Sequence, residues 1–129
     1  MVWPGGRNPT TVLIVRTAFL KSSPELVRRW LDAEEDLMNW MKARPDSAQA
    51  RVNLELARLT GKPLPPGLIE EAWSRLKFGS DPCLPAIFEG ANWARDLGFL
   101  DLKGINLKGL VDMDLLNRIR RQRGLPEIK

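Results

Sequence analysis

Thr10-Thr11-Val12-Leu13-Ile14-Val15 is the stretch on which the fold of this chain turns. It is rich in β-branched residues and almost continuously apolar, the composition of a strand covered on both faces. A buried strand must pair its backbone N–H and C=O groups, and a sheet needs about three strands to pack well. Elsewhere the chain offers only Lys77-Phe78-Gly79, which is too short to supply the missing rungs. The expectation is therefore a strand at 10–15 with no partner of its own. Such a chain either borrows strands from a second copy or is a piece of a larger α/β protein.

Everything that follows this stretch reads as helix. Ser22 or Ser23 is placed to cap a long helix, with Pro24 in its first turn and Glu25 at capping-box spacing from Ser22. Its apolar stripe is Val27, Trp30, Leu31, Leu37, Met38 and Met41, and Pro45 marks its end. A second helix is expected from about Asp46 to Thr60 with Gly61 as its stop, and a third from about Leu68 to Leu76. A fourth starts near Pro82 and ends before Gly98. The last runs from about Met113 to Arg123, capped by Asp112. Residues 99–110 form a loop that carries Leu-Lys-Gly twice, at 102–104 and 107–109. The fold class expected is thus mainly α, with about five helices, one N-terminal strand and at most one very short second strand.

Composition narrows the chemistry. The 129 residues are 43% hydrophobic and 28% charged, as in ordinary globular domains. There is no histidine, which removes the usual general base and the usual zinc ligand. The single cysteine, Cys83, excludes an intrachain disulfide and reads as a small packed residue, not as a nucleophile. No catalytic constellation, metal or cofactor is expected, and the chain does not read as an enzyme. Met1–Gly6 carries neither the charged nor the apolar region of a signal peptide. The reading leaves a cytoplasmic protein or a chain cut from a longer secreted precursor.

The ordered segments point further. Pro9-Thr10-Thr11-Val12-Leu13-Ile14-Val15-Arg16-Thr17-Ala18-Phe19-Leu20 is followed by Ser23-Pro24-Glu25-Leu26-Val27. Then come Leu54-Glu55-Leu56-Ala57-Arg58-Leu59-Thr60-Gly61-Lys62-Pro63-Leu64-Pro65, Leu97-Gly98-Phe99-Leu100, and Leu110-Val111-Asp112-Met113-Asp114-Leu115-Leu116. This series resembles the C-terminal part of the nitrate, sulfonate and taurine class of ABC-transporter solute-binding proteins, and is most similar to the aliphatic-sulfonate branch. The resemblance implies a fragment of a two-lobed α/β periplasmic-binding-protein fold of type II, with solute held between the lobes. Residues 1–9 would end the hinge or crossover, and 10–129 would form the C-terminal part of the first lobe. The parent would be periplasmic, or extracellular and membrane-anchored. It would bind a small organic anion and dock on an ABC permease. Transport is expected of the parent, and the truncated chain is not expected to bind solute alone.

The candidate ligand-binding residues are Trp3, Gly5, Gly6, Arg7, Thr10 and Thr11. Backbone N–H groups near glycines, hydroxyl donors and a guanidinium suit sulfonate, nitrate or carboxylate oxygens. The plainer readings are a hinge whose glycines relieve strain, and a tryptophan beside a proline that only packs. Glu34, between Leu31 and Met38, reads as a carboxylate at the rim of the long helix. Arg118, Arg120, Arg121 and Arg123 supply much of the net charge of +4. They suit phosphate neutralisation, but they equally complement the end of a helix dipole, and no nucleic-acid partner is expected. The competing readings are a helical self-associating module and a basic nucleic-acid binder. Truncation would expose both edges of Thr10–Val15, so a homo-oligomer through that strand is expected.

Overall fold

The computed structural model describes residues 3–101, 103 and 107–128. It is mainly helical: α1 Thr17–Ser22, α2 Pro24–Ala43, α3 Pro45–Thr60, α4 Pro66–Ser74, α5 Leu84–Asp96 and α6 Asp114–Gln122. Short 3-10 turns lie at Pro4–Gly6 and Leu107–Gly109. The first Leu-Lys-Gly repeat, at 102–104, falls largely outside the described residues, as do Met1 and Val2 of the expected hinge.

The strand expected at 10–15 does not form, and no strand occurs among the described residues. Residues 10–15 make no hydrogen bond to any described residue. Val12, Leu13 and Ile14 stand 47%, 43% and 87% exposed. The physical reason is that a strand exists only through a ladder, and the helices on either side use their own carbonyls internally. Lys77–Gly79 is likewise a link and not a short strand, because Phe78 turns back on Trp73 with ring centroids 4.5 Å apart.

The helices after Pro24 follow the local signals. Ser23 stands at the start of α2, its carbonyl accepting from the N–H groups of Leu26 and Val27. Ser22 does not form the expected capping box. It ends α1, a short helix that the periodicity had not revealed, and its hydroxyl donates to the Phe19 carbonyl. Gly61 closes α3 in the left-handed region at φ 85°, with its N–H on the Ala57 carbonyl. Asp112 accepts the Asp114 N–H at 2.9 Å in a turn just ahead of α6, but Met113 and not Asp112 takes the N-cap position.

Two groupings of the chain are compact, residues 1–29 with 81–129 and residues 30–80. In the first, the buried apolar residues among those described are Val27, Ala86, Leu116 and Ile119. In the second they are only Ala48 and Ile69, where α3 meets α4, together with the carboxylate-bearing Glu35. Glu34, which the sequence placed on the apolar stripe, is only half-buried. Its neighbour Glu35 falls four residues after Leu31 and takes the inward position.

Each grouping carries an asparagine clamp that ties a post-helical segment back to its helix. The Asn53 amide donates to the Leu64 carbonyl at 2.8 Å, and the Leu64 N–H donates to Asn53 Oδ1 at 2.7 Å. Asn117 holds Ile128 in the same two-way fashion, at 3.0 and 2.9 Å. The Asn117 pair is partly buried and the Asn53 pair exposed. Asn117→Ala is therefore expected to cost about 1–2 kcal/mol in urea unfolding, and Asn53→Ala less. An Asn117→Asp variant should fall with Asn117→Ala, since a carboxylate cannot donate to the Ile128 carbonyl.

Candidate functional site

The residues proposed from sequence for anion contact fall into two sets. Trp3, Gly5, Gly6 and Arg7 gather about the turn at Pro4–Gly6, which packs on α5. Gly5 and Gly6 both adopt left-handed backbone, at φ 65° and 66°. They reverse the chain within one turn, closed by the Gly6 N–H on the Trp3 carbonyl at 2.9 Å. A side chain at either position would be strained, so the pair is a conformational requirement of the turn.

Trp3 is thereby laid against α5. Its ring meets Trp93 edge-on, with centroids 4.7 Å apart at 62°. The ring also passes over Gly90, where a Cβ would sit 3.5 Å from its edge. In this structure Trp3 is a packing residue.

Arg7 reaches Asp81, with Nη2 3.3 Å from Oδ2. The other Asp81 oxygen accepts the Cys83 N–H at 2.9 Å. Cys83 thus stands at the N-terminus of α5 with φ 54°, left-handed backbone that is unusual for a residue with a side chain. It is half-buried, with Sγ 3.7 Å from the Asp81 carbonyl oxygen, and its place is set by the Asp81 turn and not by core packing alone. Thr10 and Thr11 form the second set. Both are exposed and neither joins Arg7 through a hydrogen bond.

Within the second grouping, α3 and α4 border a shallow groove of about 300 Å³, lined by Asp46, Gln49, Asn53, Pro66, Ile69 and Glu70. Its two ionisable residues are acidic, so it repels organic anions. Asn53 is already committed to Leu64. No group of three or more Cys, Asp or Glu among the described residues is placed to hold a metal ion. No helix among them is long and apolar enough to cross a membrane.

Two of the three arginines of α6, Arg120 and Arg121, have structural partners among the described residues. Arg120 Nε donates to the Pro126 carbonyl at 2.8 Å, and Arg121 pairs with Glu127 at 3.1 Å. Both lie in the last turn of the helix, where cations favour its negative pole. They fasten residues 125–128 alongside Asn117, a role that residue type alone did not reveal.

Gly90→Ala is expected to raise thermal stability by about 0.5–1 kcal/mol, because alanine favours mid-helix backbone and its methyl makes an ordinary contact with Trp3. Gly90→Val adds branches toward the ring and is expected to lower stability and shift tryptophan emission as Trp3 is displaced. Compared with known protein families, with curated proteins and with solved structures, the chain matches none.

Proposed function

We propose that this chain is the C-terminal part of the first lobe of an ABC-importer solute-binding protein for small organic anions, and that it does not hold solute by itself. The observation that carries the reading is the state of Val12, Leu13 and Ile14. They are strand-forming apolar residues, yet they are exposed and lack hydrogen bonds to any described residue. A sheet contributed by further chain would cover them. The ordered resemblance to sulfonate-class binding proteins supplies the kind of parent that has such a sheet.

In that parent, Trp3–Pro9 is the return across the hinge, and solute is captured by closure of two lobes, which requires higher affinity in the closed state. Arg7 is the residue best suited to meet the anion. Its half-exposed pair with Asp81 is worth about 1 kcal/mol or less, so exchange of that carboxylate for a sulfonate costs little. Gly5, Gly6, Thr10 and Thr11 add backbone and hydroxyl donors nearby in sequence. A second reading, a self-associating helical module joined through Thr10–Val15, is favoured by the same exposed segment.

Taurine, methanesulfonate and nitrate at millimolar concentration are expected to leave the melting temperature of this chain unchanged. A working site filled to a hundred times its Kd would add about 2.7 kcal/mol, and a rise of several degrees would contradict the fragment reading. The DNA immediately upstream of the Met1 codon is expected to encode sheet-forming segments of a first lobe. Sequence there with no such coding potential would remove the parent.

A further inference from the structure

From Leu26 to Trp40, α2 presents an exposed apolar stripe beside buried Val27, and it includes Trp30 and Leu37, which the sequence had placed on the same stripe as Val27. Leu26, Trp30, Ala33, Leu37 and Trp40 recur at intervals of four, three, four and three residues, the spacing of a coiled-coil seam. All five are exposed in the folded chain, Leu26 at 55%, Trp30 at 60%, Leu37 at 48% and Trp40 at 39%. Isolated exposed apolar residues need no explanation, but a contiguous stripe does.

We infer that this stripe is a self-recognition seam, along which α2 packs antiparallel against α2 of a second copy of the chain. Three features select that occupant. The first is spacing, since a 3.5-residue repeat is complementary to another helix. The second is size. With aromatic side chains offering up to about 250 Å² each, the stripe presents on the order of 400 Å² of apolar area. That is close to the apolar share of the roughly 800 Å² per partner in a standard interface.

The third is the match of shape in one orientation. In an antiparallel pair, alternate seam positions face each other, so Trp30 lies over the small Ala33 of the other copy and Leu26 over its Leu37. A parallel pair would instead oppose Trp30 to Trp30 and Ala33 to Ala33, bulk against bulk and gap against gap. The helix is already folded within the chain, so two heptads suffice where an isolated peptide would need more. The inference does not rest on the solute-binding reading, and it uses a surface distinct from Thr10–Val15.

Size-exclusion chromatography with light scattering on the full chain is expected to show a dimer. Trp30→Ala and Ala33→Trp each weaken it at least about tenfold, while far-UV circular dichroism stays helical. Ile14→Lys leaves the dimer unchanged. In a Cys83→Ser background, a Leu26→Cys chain mixed with a Leu37→Cys chain oxidises to a cross-linked heterodimer. A wild-type monomer at every concentration would overturn the inference. So would a dimer indifferent to Trp30→Ala and Ala33→Trp, or one abolished by Ile14→Lys, which would place association on the 10–15 segment. Cross-links formed only between identical Leu26→Cys chains would overturn the antiparallel orientation.

Discussion

A peptide group can leave water only if its N–H and C=O are hydrogen-bonded elsewhere. Helices meet that condition within themselves, which is why α2 through α6 form wherever the sequence carries a period, a cap and a stop. A strand meets it only through a neighbour. At Val12–Val15 the side chains are fit for burial, but the backbone has no described partner, and so Val12, Leu13 and Ile14 remain in water. The proposed parentage depends on that mismatch between side chain and backbone.

The thin packing elsewhere is consistent with it. Residues 30–80 bury only Ala48 and Ile69 as apolar side chains, far less than a free-standing domain of that size needs. Among the described residues of 1–29 with 81–129, Ile119 is the one large side chain that is fully buried. Local devices hold these parts together: the Asn53 and Asn117 clamps, the Arg120 and Arg121 contacts with the C-terminal segment, and Trp3 laid over Gly90 by two left-handed glycines. Such contacts fix the course of the chain while adding little to its small core.

Much of the helical layout was legible because its determinants are local. Gly61 after Thr60, Pro24 and Pro45 at helix starts and Asp112 before α6 each act within one turn of their own position. What was not legible depends on partners distant in sequence. Composition marks 10–15 as strand-like but says nothing of whether rungs exist. Asn53 and Asn117 are ordinary polar residues until the chain folds back to Leu64 and Ile128. α1 was missed because six residues are too few to show a period, and it takes Ser22 away from its expected cap. The inward place of Glu35 follows from its position four residues after Leu31, while Glu34, one residue earlier on the helix, stays half-buried. Of the residues read from the sequence as candidates for anion contact, Trp3, Gly5, Gly6 and Arg7 do come together, through a turn that the two glycines announce, whereas Thr10 and Thr11 are not tied to them by any described hydrogen bond.

Amide hydrogen exchange, followed residue by residue at a dilution where the chain is monomeric, tests the unpaired segment most directly. The amides of Val12, Leu13, Ile14 and Val15 are predicted to exchange at near-intrinsic rates while the core of α6 around Ile119 is protected. Protection at Val12–Val15 comparable to that at Ile119 would mean that the segment is already paired within the chain, and would contradict the account.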